Sequence, residues 1–163
     1  MAELTPLDEK LAEVLGLAQA AQDTVDKVSR MEGADAFSSD LERMKSESSK
    51  TEERVMALVE TLEGKKTAII EKGRETKKEA SEMRDAYLEG EEEALDGFEF
   101  LTMAEAGELG HWEIVQTIGE TIGDSSVVEL ATWAVDVQRG HFEGVRKAAL
   151  ALAREEAKEL ASA

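Results

Sequence analysis

Apolar residues recur every three or four positions along most of this 163-residue chain, the period of a helix that buries one face. Leu7, Leu11, Val14, Ala18, Ala21, Val25 and Val28 form the first stripe. Thr5 can cap this helix, Pro6 suits its first position, and Asp8 and Glu9 favour the positive end of its dipole. The pattern stops near Met31, Glu32 and Gly33. A second helix is predicted from Ser39, because Ser39 and Glu42 have capping-box spacing. Its stripe is Leu41, Met44, Ser48, Thr51, Val55, Leu58 and Leu62, polar in the middle, and Gly64 interrupts it. A third helix is predicted from about Glu91 to Ile118 and a fourth from about Ser125 to near the end. Gly119 and Gly123 bracket a tight turn between them. Ser126 and Glu129 repeat the capping-box spacing, so Glu129 is assigned a structural role.

Residues 65–90 fit this scheme least well. Their main large apolar residues are Ile69, Ile70, Met83, Tyr87 and Leu88, among alternating Lys, Arg and Glu. The spacing predicts a solvated helix laced by weak ion pairs, serving as a crossover rather than a core helix. The competing expectation is a docking patch for an acidic partner.

Composition agrees with an all-α domain spanning 1–163. Apolar residues make up 42% and aromatics only 4%, so the core is aliphatic and alanine-rich, with Phe98, Trp112, Trp133 and Phe142 expected inside it. The absence of cysteine removes disulfides, thiol catalysis and Cys-ligated metals. A net charge of −18 opposes binding to nucleic acid and to anionic membranes. No apolar run reaches the ~20 residues that span a bilayer, and the first residues lack the pattern of a signal peptide. A cytoplasmic location is the resulting expectation. Residues 91–163 carry five basic and sixteen acidic groups, yet are also the more apolar part of the chain. That pairing directs attention to the last two helices.

Both histidines lie there, in near-identical settings. Glu108-Leu109-Gly110-His111-Trp112-Glu113 and Gln138-Arg139-Gly140-His141-Phe142-Glu143 share one pattern. A carboxylate or amide three residues before a histidine puts both side chains on one helical face. Glu108 and His111 fall on a stripe with Leu101, Ala104, Val115 and Ile118, and Gln138 and His141 on one with Val127, Ala131, Ala134 and Val145. Glu105 lies on an adjoining stripe with Phe98, Leu101 and Trp112. Polar groups at such positions need metal coordination or a hydrogen-bond network to offset several kcal/mol of desolvation. With a turn centred near Thr121, Glu105 and Gln138 come level on antiparallel helices. His111 then lies roughly 15 Å along the axis from His141. The favoured cluster is Glu105, Glu108, Gln138 and His141, with a second His111 entering only through a symmetric homodimer. Gly107, Gly110, Gly140 and Gly144 each cost about 1 kcal/mol in a helix, which suggests close backbone approach between helices or at a dimer contact.

These residues resemble the last two helices of a ferritin-like four-helix bundle, and in particular the YciF-type branch of stress-associated proteins. The resemblance covers nearly the full length in layout, with residues 65–90 as an extra helical crossover, but in motif only about the last seventy residues. It implies iron or manganese, held in the superfamily by a Glu from helices one and three and a Glu-x-x-His from helices two and four. Carried over, Glu108 or Glu105 is the helix-three Glu, and Gln138 and His141 stand in the helix-four motif. Helix two has no histidine and shows Lys50-Thr51-Glu52-Glu53-Arg54 where its pair is expected. Helix one has no Glu on its stripe beyond the first turns. The resemblance therefore implies a metal-handling or stress-protection role with half of a dinuclear site. The alternatives are a metal-free structural or dimerising bundle, proton transfer without metal, and an adaptor.

Overall fold

A computed structural model describes residues 2–163. Among them are five α-helices and no strand: α1 (Pro6–Val28), α2 (Ser38–Glu60), α3 (Lys66–Tyr87), α4 (Ala94–Ile122) and α5 (Ser125–Ser162). A short 3-10 turn, Ala34–Phe37, precedes α2.

Helix ends follow local chemistry, with two departures from the predicted caps. At α1 Thr5 caps the helix as expected and also forms an unpredicted capping box with Asp8, and Lys65 adds an ion pair to Asp8 at 2.6 Å. At α2 the Ser39–Glu42 box does not form. The 3-10 turn feeds directly into the helix, Phe37 is the capping residue, and no side chain caps it. At α5 the cap is Asp124, whose side chain accepts from the Val127 amide, not Ser126 with Glu129. The turn before it closes at Gly123, whose φ of +75° is the left-handed conformation that glycine adopts without strain.

Four helices form a ring, each antiparallel to its neighbours. Gln19 and Gln22 of α1 meet Glu52 of α2, while Asp26 meets Lys45. Glu47 and Arg54 of α2 meet His141 and Trp133 of α5. Gln138 of α5 meets Glu105 and Glu108 of α4. Val28 and Glu13 of α1 meet Gly97 and His111 of α4. The fifth helix, α3, lies outside the ring and parallel to α1, registered by the pairs Lys65–Asp8, Lys77–Asp23 and Lys27–Asp85. It is more than a solvated strut. Ala68, Ile69 and Gly73 are buried, and Gly16 and Gly73 bring the two backbones together. A β-carbon at Gly16 would overlap the Gly73 carbonyl oxygen.

The interior divides into two apolar blocks. One contains Leu11, Val14, Leu15, Val55, Val59, Trp112, Val127 and Leu130. The other contains Val25, Val28, Leu41, Met44, Phe98, Leu101 and Val145. Between them every ring helix contributes two buried residues three apart: Ala18 and Ala21, Ser48 and Thr51, Glu105 and Glu108, Gln138 and His141. Small side chains on α1 and α2 leave the volume that the longer polar groups of α4 and α5 fill. Phe98 and Trp112 are buried as expected, whereas Trp133 and Phe142 are half-buried.

Candidate functional site

The layer between the two apolar blocks encloses four buried polar side chains from α4 and α5 together with Ser48 and Thr51 of α2. Glu105, Gln138 and His141 are each at least 98% buried, and Glu108 is 95% buried. The Gln138 amide nitrogen donates to Glu105 Oε2 at 3.0 Å and to Glu108 Oε2 at 2.9 Å. Both protons of one NH2 group are thus committed to two carboxylates. Glu105 Oε2 also lies 3.4 Å from His141 Nδ1. His141 Nε2 faces Glu47 Oε2 at 3.3 Å, on the rim of α2. Neither approach has hydrogen-bond geometry, so both ring nitrogens of His141 are buried without a partner, as is Ser48 Oγ.

Two carboxylates in so little water cannot both ionise freely. Burial, then the neighbouring Glu105 charge, pushes Glu108 well above the ordinary carboxylate value. Glu108 therefore holds its proton more tightly than a solvated glutamate does, in the same layer as the orphaned imidazole.

Four of the five predicted site residues meet in this layer: Glu105, Glu108, Gln138 and His141. His111 does not join them. Its side chain is 37% exposed, with Nδ1 2.8 Å from the Gly107 carbonyl and Nε2 3.4 Å from Glu13 Oε2. The reason is the helical period. The buried positions of α4 run through Leu101, Glu105, Glu108, Trp112 and Val115, so Trp112 takes the interior place that the stripe through Ala104 and Ile118 assigned to His111. The glycines are corrected too. At Gly107, Gly110, Gly140 and Gly144 a β-carbon would meet nothing within 4 Å, so none marks close packing inside the chain. Glu47 and Ser48 were not singled out as site residues. Ser48 was visible as a polar interruption of the α2 stripe, but Glu47 carries no signal, since it lies on the flank of that stripe.

On α2 the charged run expected beside the site faces elsewhere. Lys50 is exposed, Glu52 is held by Gln19 and Gln22, and Arg54 stacks over Trp133 at 4.2 Å. Ser48 and Thr51 are the α2 pair that points inward.

No protein-family model matches the chain, and neither a curated protein nor a solved structure matches it significantly. Among the described residues, no three His, Asp or Glu side chains are gathered as a ready-made metal site, and no helix is long and apolar enough to cross a membrane.

Proposed function

We propose that this is a ferritin-like bundle protein whose central polar layer binds one divalent iron or manganese ion and serves metal handling or stress protection. The observation that carries this is the pair of buried His141 ring nitrogens, each without a hydrogen bond and each facing a carboxylate oxygen. A buried imidazole in that state is stabilised by a ligand that accepts its lone pair. Imidazole with carboxylates is a donor set that suits iron and manganese. The order and directions of the four ring helices, with the connection to α4 made by α3, support the ferritin-like reading.

A dinuclear centre does not fit these residues. The layer places Ala18 and Ala21 on α1 and Ser48 and Thr51 on α2, none of them a strong ligand for such an ion. The donors belong to α4 and α5, with Glu47 at the rim, and a single ion would have to draw them together and complete its shell with water. Glu108 and His141 are the ligands in this reading, Glu105 a second carboxylate, and Gln138 the hydrogen-bond donor that orients both acids. A bound iron or manganese would supply Lewis acidity and one-electron redox chemistry. The residues themselves keep the donor side chains buried, and burial makes Glu108 hold its proton more tightly than a solvated acid does. A homodimer belongs to this proposal, and sedimentation of the purified protein tests it.

The test is titration of chelator-treated protein with Fe(II) under nitrogen and with Mn(II). One equivalent is expected to bind, and His141→Ala to weaken binding at least tenfold. Equal binding by the variant overturns the assignment. A metal-free structural bundle is the second reading, favoured by the hydrogen bond that Gln138 donates to each acid. It predicts that chelator leaves the melting temperature unchanged. An ion that binds only the folded state adds about 2.7 kcal/mol at a hundredfold excess over its dissociation constant.

A further inference from the structure

The polar layer is not sealed on all sides. A cleft of about 250 Å³ opens between α1, α3 and α4 and ends on Glu105 and Glu108. Its walls are apolar. They exist because Ala20 and Ala21 on α1, Ala80 on α3 and Ala104 on α4 stop short where longer side chains would close the gap. Met83 and Met103, 68% and 52% exposed, stand at its mouth, and flexible thioethers can reshape themselves around a guest. The volume exceeds the ~150 Å³ of an apolar cavity that takes up benzene.

The floor of the cleft has the opposite character. Glu105 and Glu108 each accept from Gln138 through Oε2 only, and among the described residues no group donates to either Oε1. Among the described residues no lysine or arginine borders the cleft, and its one basic side chain is His111. A small inorganic cation would use the acids and leave the apolar walls idle. A neutral hydrocarbon would use the walls and leave the acids unpaired. A guest with both an apolar body and one positive end uses both, and a chain of net charge −18 draws cations toward it and repels anions.

We propose that this cleft is a binding site for a small hydrophobic monocation, an alkyl- or aryl-ammonium compound whose charged end reaches Glu105 and Glu108 and whose body lies against Ala21, Ala80 and Ala104. The site goes beyond the metal reading and does not depend on it.

The test uses the full chain in EDTA, titrated with n-hexylamine at pH 7 and followed by calorimetry and amide NMR shifts, with n-hexanol and hexanoate as matched probes. Saturable binding of hexylammonium is expected, at least tenfold tighter than hexanol, with no binding of hexanoate and with shifts at Ala21, Ala80 and Ala104. Glu105→Gln and Ala104→Leu are each expected to weaken it at least tenfold, one by removing charge and the other by filling the cleft. Ala80→Leu fills the same space from the outer helix, so a folding defect in Ala104→Leu leaves the cleft testable. Equal affinity for hexanol overturns the proposal, because the acids then play no part. Hexylammonium binding that survives both filling variants overturns it too, because the amine then sits on the acidic surface. Failure here leaves the metal titration of the preceding section standing, since the chelator removes metal from this experiment.

Discussion

Gln138 and Glu108, thirty residues apart on antiparallel helices, meet through a 2.9 Å hydrogen bond in which a neutral amide serves a buried acid. The same nitrogen serves Glu105, so among the described residues Gln138 is the only donor bonded to either carboxylate. Gln138→Leu keeps the volume but strands both acids. It is expected to lower stability by about 1–3 kcal/mol, read from urea unfolding. Gln138→Glu puts a third acid in the layer. Without metal it is expected to be less stable than the parent at pH 7 and to recover as the pH falls. If the layer binds iron or manganese, the same variant gains affinity for Mn(II).

The raised position of Glu108 fixes the sign of a pH effect. Folding makes this acid hold its proton more tightly, above its ordinary value of 4.5. Its contribution to stability is therefore complete below that value and is lost as pH rises through the raised one. Stability is expected to decline across this window, with a slope of up to about 1.4 kcal/mol per pH unit for one proton. Glu108→Gln still accepts from Gln138 but cannot ionise. Denaturation midpoints measured across the window are expected to flatten in this variant. An unchanged slope places the titration elsewhere.

Asp8 behaves in the opposite sense. Burial pushes it up, but the hydrogen bonds from Lys65 and Thr5 and the Lys65 charge together hold it below its ordinary value of 3.8. Its contribution is present above that value and is lost as pH falls through the lowered one. Asp8→Ala removes the α1 capping box and the tie to the start of α3 together. A loss of about 1–3 kcal/mol at neutral pH is expected from thermal unfolding. The loss should shrink in acid.

Two glycines separate packing from propensity. Gly16→Ala drives a methyl group into the α3 backbone at Gly73, so α3 must shift away. A cost of about 1–3 kcal/mol is expected, with faster amide exchange concentrated in α3. Gly140→Ala meets open space and removes the entropic penalty of a mid-helix glycine. It is expected to stabilise the isolated chain by about 0.5–1 kcal/mol. Should Gly140 lie at a contact between two copies, the same change would instead weaken that dimer in sedimentation.

Much of the architecture was legible from period and caps. The stripe from Leu7 to Val28 placed α1, the Thr5–Asp8 region marked its start, and Gly123 marked the turn into α5. In the site, Glu105, Glu108, Gln138 and His141 were legible because each interrupts an apolar stripe. The misreadings share a physical origin. His111 sits one residue from Trp112 on a helix whose apolar face is broad, and a period of 3.6 lets either fall inside. The partner helix decided between them, and the larger apolar ring took the interior. Capping boxes at Ser39 and Ser126 had the right spacing but lost to the preceding turn and to Asp124. Glu47 and the cleft above Glu105 involve residues brought together from different helices, so no local pattern announces them.

Local chemistry along the chain determined the ring helices, their main turns and which residues are amphipathically placed, because these depend on neighbours within four positions. Only the tertiary structure decided the rest. It packed α3 outside the ring against α1 through two glycines, and stacked the four helix pairs into one polar layer between two apolar blocks. It also left His141 without a hydrogen-bond partner and a cleft beside Glu108. Those outcomes depend on volumes and charges meeting across helices remote in sequence, where a missing methyl group or an unpaired proton has meaning only once its neighbours are in place.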